Sequence, residues 1–177
     1  TRFRASAGEA NAYEIVAGER RWRASQIAKL QDVPVVIREM SDGESLELAI
    51  IENVQREDLN AIEEAQGYSE LMSRFQLTQE EVGTKVGKSR AVVANALRLL
   101  KLPAALQGYI RDGRLSVGHA KVVLGLATEK LQQQAAERII KDGLNVRQTE
   151  GLVAKLEERA SGPAKPATIT PLTKDAH

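Results

Sequence analysis

The chain has 177 residues, no cysteine and a formal net charge of +1. Without cysteine it can form no disulfide, thiolate metal site or thiol nucleophile, and its two histidines cannot build a metal site on their own. The length admits one or two domains with a real core, and a composition rich in Ala, Leu, Glu and Arg with 3% aromatics favours helix. The near-neutral total conceals an asymmetry. Residues 39–81 hold twelve acidic side chains against Arg56 and Arg74, whereas residues 83–122 hold eight basic ones against Asp112 alone. Such a division suggests a polyanion-binding face beside a region with another use. No signal peptide or apolar run of membrane-spanning length is evident, so a cytosolic protein is expected.

In chain order, Thr1–Ala5 alternates, Ser6–Asn11 is turn-like and Tyr13–Ala17 is apolar, a pattern for a β-hairpin. A hairpin at the very first residue suggests that earlier residues precede it in a longer protein. Glu19–Leu30 reads as a helix with Trp22, Ile27 and Leu30 facing inward, and Val33–Ile37 as a short strand. Between the hairpin and the helix, Tyr13–Ala24 places an apolar run, then Gly18, then Glu19, Arg20, Arg21 and Arg23. A helix N-terminus offers unpaired N–H groups and partial positive charge. Arginines there suit phosphate oxygens, which guanidinium holds bidentately. Read alone, the stretch is equally a solvated helix start with a Glu in its favoured first turn.

Ser41 or Asp42 caps a further helix through Leu46, Leu48, Ile50 and Ile51, which ends in the polar cluster Glu52–Asn60. Asn60 caps a helix over Ile62–Phe75, with Glu63 and Glu64 in its first turn. Thr78 and Glu81 have capping-box spacing. Their helix runs to Val86, turns at Gly87 and restarts at Ser89 through Leu100, with Val92, Val93, Ala96, Leu97 and Leu100 available for the core. Two helices joined by a short Gly turn are a helix-turn-helix signature, which an ordinary antiparallel pair shares. The basic charge of the region favours the former. A short helix at Leu106–Ile110, a Ser116-capped helix carrying His119 and Lys121, and helices at Thr128–Lys141 and Asn145–Arg159 follow. Ser161–His177 is Pro-, Ala- and Thr-rich without periodicity and is expected to be a linker or disordered end.

Four blocks in order, Gly18-Glu19-Arg20-Arg21-Trp22-Arg23-Ala24, Glu52-Asn53-Val54-Gln55-Arg56-Glu57-Asp58-Leu59-Asn60, Gly87-Lys88-Ser89-Arg90 with Leu97-Arg98-Leu99-Leu100, and Leu115-Ser116-Val117-Gly118-His119-Ala120, resemble the ParB chromosome- and plasmid-partitioning family. The resemblance implies an α+β chain. A small mixed β-α nucleotide-binding domain, sulfiredoxin-like in architecture, covers 1–60 without its leading segment. An all-α helix-turn-helix DNA-binding domain covers 61–160, and 161–177 leads toward an absent C-terminal dimerisation domain. It implies a bacterial, nucleoid-associated protein that loads at a palindromic parS site and closes as a homodimeric sliding clamp with CTP and Mg²⁺, reset by slow CTP hydrolysis. A ParA-type ATPase would dock on the missing leading segment, and no membrane contact is expected.

By position, the resemblance implies that Gly18, Glu19, Arg20 and Arg21 line the triphosphate and that Arg56 contacts phosphate. Glu52 and Asn53 sit at the metal and phosphates, in keeping with the preference of Mg²⁺ for a few oxygen ligands plus phosphate. Glu19 is assigned to position the hydrolytic water, although a carboxylate beside phosphates repels unless metal, water or an arginine intervenes. Lys88, Ser89, Arg90 and Asn95 are assigned to the major groove and DNA backbone, and Gly118, His119 and Lys121 to a second DNA contact. Lys121 stands where the family commonly has Arg, keeping charge but losing the fork. Ala61 replaces a common Pro. No P-loop glycine–lysine motif is present. The competing readings are a nucleotide-independent helix-turn-helix regulator, a sulfiredoxin-like or kinase-like enzyme, for which cysteine or a substrate pocket is missing, and a Noc-type nucleoid occlusion factor.

Overall fold

The computed structural model describes residues 2–4, 12–56 and 58–161. Among these the chain is nearly all helical. The strands β1 (Arg2–Arg4) and β2 (Ala12–Glu14) pair antiparallel, with Phe3 opposite Tyr13, and form the whole of the sheet structure. Nine helices follow: α1 (Glu19–Ile27), α2 (Asp42–Val54), α3 (Ala61–Phe75), α4 (Gln79–Val86), α5 (Arg90–Leu99), α6 (Ala104–Arg111), α7 (Val117–Val123), α8 (Glu129–Asp142) and α9 (Val146–Ser161). The expected turn over residues 6–11 and the tail beyond residue 161 lie outside the described residues.

The α+β expectation is therefore corrected. Val33–Ile37 forms no strand, and Val35, Val36 and Ile37 are 71%, 83% and 63% exposed. A strand exists only where a neighbour takes its hydrogen bonds, and the described hairpin strands pair only with each other. β-propensity without a partner is insufficient. Helix α1 also stops three residues early, where Lys29 turns into the left-handed region at φ 55° and Leu30 N–H reaches back to Ser25 O. Of its supposed inward side chains, Trp22 is half-buried, while Ile27 and Leu30 are exposed.

The remaining helices start where local chemistry says they should. Ser41, Asn60 and Thr78 each close a reciprocal capping box with the glutamate three residues on, Glu44, Glu63 and Glu81. Ser89, Ser116 and Thr128 cap α5, α7 and α8 through single hydroxyl contacts. None of the described helices is long and apolar enough to cross a membrane.

Two apolar clusters form the core. One gathers Ile62, Leu99, Leu102, Leu106, Ile110, Leu115, Val123 and neighbours from α6 to α9. The other holds Val54, Tyr68, Leu71, Val82, Val86 and Val93. Helices α3 and α5 contribute to both, so they act as a common spine. Tyr68 is fully buried and donates its hydroxyl to Glu64 Oε1; burial and this carboxylate together raise its pKa. On α5, Val93 is buried as expected, but Val92 is 43% exposed, since consecutive residues of a helix point about 100° apart and Val92 stands at the edge of the buried stripe.

Helix α2 belongs to this body. It buries Val54 against α3 at Gly67, where an added Cβ would overlap Val54 Cγ2. Two turns earlier on the same face Glu47 pairs with Lys85 of α4, Oε1 to Nζ 2.9 Å. Replacing Gly67 with Ala is expected to destabilise the protein by about 1–3 kcal/mol, since overpacking outweighs the gain in helix propensity. Gly151→Ala in α9, where the new methyl meets nothing within 4 Å, is expected to stabilise it by about 0.5–1 kcal/mol. Urea unfolding of the two variants checks this, and equal shifts would contradict the packing described.

Candidate nucleotide site and nucleic-acid interface

The first motif block shapes the start of α1. Gly18 occupies the N-cap position at φ 87°, a conformation that favours glycine. Its carbonyl accepts the Trp22 N–H at 3.0 Å, and no side chain caps the helix. Arg20 and Arg21 are exposed. Glu19 does not stand as a bare anion: Arg23 Nη2 donates to its Oε1 at 2.7 Å. An arginine thus relieves the repulsion a carboxylate would exert on phosphate.

The second block closes α2. Glu52 and Asn53 are exposed in the last turn, which contains no basic residue to offset the helix dipole. A carboxylate at the negative end of a helix raises the local affinity for a cation. Yet among the described residues no three acidic or histidine side chains are grouped to hold a metal. Glu52 and Asn53 therefore fit Mg²⁺ as a partial ligand set, with further oxygens supplied by phosphate. Beyond them Arg56 folds back on Asp58 in a two-pronged contact, Nε to Oδ1 3.0 Å and Nη2 to Oδ2 2.8 Å. Asn53, Arg56, Asp58, Leu59 and Glu63 line an open groove of about 410 Å³. Arg56, and to a lesser degree Arg20 from α1, hold the Asp58 carboxyl below the usual range.

The third block is the turn between α4 and α5. Gly87 takes φ 73°, and Lys88 N–H closes on Gly83 O at 2.8 Å. Gly83 is required by contact: a Cβ there would lie 2.7 Å from Lys88 O. Lys88, Arg90 and Asn95 all project into solvent. Ser89 Oγ accepts the Val92 N–H, which commits its oxygen to the cap and leaves its hydrogen out of that bond. A second groove of about 420 Å³, lined by Thr78, Gln79, Glu80 and Arg90, runs between the starts of α4 and α5.

In the fourth block the three residues diverge. Gly118 faces α9, where a Cβ would come within 3.0 Å of Val146 Cγ2. His119 is half-buried, with Nδ1 2.9 Å from Ser116 Oγ and Nε2 enclosed without a hydrogen-bond partner. Only Lys121 is exposed.

The sequence matches the ParB HTH domain over residues 57–158 and the ParB N-terminal domain over 4–54. This chain belongs to the ParB family. It is 49% identical over 154 residues to the chromosome-partitioning protein ParB of Myxococcus xanthus, covering 87% of this chain and 51% of that protein. It is 48% identical over 162 residues to ParB of Caulobacter vibrioides, covering 92% of this chain and 52% of the relative. The chain thus spans about half the length of these curated relatives. A crystal structure of C-terminally truncated ParB from Caulobacter crescentus complexed to the centromeric parS site superposes with a TM-score of 0.75 at 47% identity, covering 85% of this chain and 79% of that one.

Within the ParB-family frame, Arg98 of α5 and Lys101 just beyond its end are further exposed basic residues, and Gln79 shares a groove with Arg90. Sequence reasoning missed these three as contact candidates. Arg98 could have been found from periodicity, because it lies two helical turns beyond Arg90. Gln79 could not, since its approach to Arg90 depends on the turn.

The Thr78 cap generates a pH prediction for this surface. The Thr78 backbone N–H and then its hydroxyl lower the Glu81 pKa from 4.5. Ionised Glu81 is thus favoured by folding, and its contribution is full above pH 4.5 and lost as pH falls through the lowered value. Glu81→Gln should melt below wild type at pH 7, and the gap should shrink in acid beneath pH 4.5. A pH-independent gap in thermal melts would show that charge is not the cause.

Proposed function

We infer that the chain is the nucleotide- and DNA-binding part of a parS-specific partitioning protein, gated by CTP with Mg²⁺ and resetting by slow CTP hydrolysis. One observation carries the reading: α2, which presents Glu52 and Asn53 and leads directly to Arg56, is packed into the same core as the helix-turn-helix. A group bound at the end of α2 therefore acts on the element that holds α4. The Caulobacter crescentus relative, solved in complex with the centromeric parS site, supports the DNA half. The four sequence blocks and membership of the ParB family support the nucleotide half.

In this reading Gly18 lets the backbone approach a phosphate, Arg20 and Arg21 offset its charge, and Arg56 offers a fork for two oxygens. Glu52 and Asn53 would hold Mg²⁺ through oxygen, and the metal would offset negative charge on the triphosphate. Glu19, oriented by Arg23, would place the attacking water. Lys88, Arg90 and Asn95 would enter the major groove, with Ser89 and Lys121 on the phosphate backbone. Gly118 and His119 serve that surface by positioning α7. Residues 1–60 and 61–160 act as nucleotide and DNA domains. Homodimer closure, a ParA-type ATPase partner, and nucleoid location complete the scheme. A nucleotide-independent helix-turn-helix regulator is the second reading, favoured by the absence of any buried residue in α1.

The test is CTP binding and hydrolysis with a parS duplex and with a scrambled duplex. Stimulation by parS alone is expected, while equal stimulation by both duplexes would indicate a non-specific binder. Absence of CTP binding with Mg²⁺ present would leave only the second reading. Arg21→Ala should abolish CTP binding and leave parS binding nearly intact. Arg90→Ala should weaken parS binding by about 1–3 kcal/mol, as loss of a bidentate base contact does, and should spare CTP binding in the absence of DNA.

A further inference from the structure

Asp58 has no part in the scheme above, yet it lines the proposed phosphate groove beside Asn53 and Arg56. The Arg56 fork, suited to two phosphate oxygens, already holds two: Asp58 Oδ1 at 3.0 Å and Oδ2 at 2.8 Å. The two residues lie close in sequence, so the contact forms without help from any other element. Glu52 and Glu63 also lie near Arg56 and act on it only through charge, whereas Asp58 is hydrogen-bonded to it. Arg20, from the other motif block, adds its charge to the same carboxylate. The Arg56 guanidinium is thus committed to one planar anion whose pair of oxygens has the spacing and hydrogen-bonding pattern that phosphate oxygens offer guanidinium.

We propose that Asp58 is an internal competitor for phosphate, holding the Arg56 guanidinium in the free protein and releasing it only to a ligand charged enough to take its place. The proposal rests on the reading that a triphosphate is the ligand, and it adds a residue that lowers affinity by design. Arg56 cannot present its fork to both partners at once. Removing the charge on Asp58 while keeping its shape therefore strengthens ligand binding, the reverse of what loss of a merely structural residue does. The pair is exposed, so the effect is modest, about two- to fivefold in affinity.

The experiment is calorimetric titration of CTP with Mg²⁺ into the wild type, Asp58→Asn, Arg56→Ala and the double variant, with the melting temperature of each free protein as the check on folding. Asp58→Asn is expected to bind about two- to fivefold tighter than wild type. Arg56→Ala is expected to bind more weakly, and the double variant to match Arg56→Ala, because Asp58 acts through Arg56. A gain of equal size in the Arg56→Ala background would mean that Asp58 opposes the ligand by bulk charge alone and overturns the proposal. Unchanged or weaker binding by Asp58→Asn overturns it as well, and Asp58→Ser provides the same readings if the Asn variant melts early. Failure of the underlying reading is distinct: neither the wild type nor Asp58→Asn would take up CTP or inorganic tripolyphosphate.

Discussion

The contact between α2 and α3 decides what the rest of the molecule can do. Gly67 lacks a Cβ, so the Val54 side chain fits against α3 and brings the polar end of α2 with it. Helix α3 in turn supplies Ile62 to one apolar cluster and Tyr68 and Leu71 to the other. Helix α5 does the same with Leu99 and Val93. The position of Glu52, Asn53 and Arg56 is thereby referred to the outward face of α5 through a few buried side chains. The Glu47–Lys85 pair adds a polar tie from α2 to α4. Interiors of this density transmit small displacements instead of absorbing them.

The two halves of the candidate nucleotide site are built differently. Its second block ends a helix that buries Val54 in a core cluster and packs Ile50 and Ile51 against it. Its first block begins a helix with no buried residue, followed by an exposed apolar stretch at Val33–Ile37. What relates them is charge: Arg56 holds the Asp58 carboxylate by hydrogen bonds, and Arg20 adds a lesser attraction to it. Electrostatic attraction across water is weaker than packing, so the second block is held by shape, whereas the helix of the first block has no buried anchor.

Local chemistry was legible in the sequence where the interacting residues lie within one turn of one another. The caps at Asn60, Thr78 and Ser116 needed only the residue and its next three neighbours, and all three formed. The turn at Gly87 was equally local. Features that depend on a second element were not legible. Val33–Ile37 has strand composition, but a strand requires a partner whose presence no local pattern reports. Gly118 reads as part of a DNA-contact motif, while its approach to Val146 depends on α9, nearly thirty residues on. The enclosure of His119 Nε2 and the groove between Gln79 and Arg90 likewise follow from tertiary placement. For the candidate site, sequence supplied the residue types and their order. It could not supply the Asp58–Arg56 contact, because adjacent charges in a chain do not disclose which way their side chains turn.

The lack of any buried residue in α1 has a thermodynamic consequence. A short helix of nine residues gains little from its own hydrogen bonds and draws most of its stability from packing. With no side chain in a core, α1 belongs to the least protected part of the fold. Any ligand that must touch both Arg21 and Asn53 therefore completes a piece of folding as it binds. Its affinity is reduced by the ordering entropy of that helix, at about 1–2 kcal/mol for each backbone residue it fixes. Its temperature dependence carries a heat-capacity change from whatever apolar surface closes over Ile27 and Leu30.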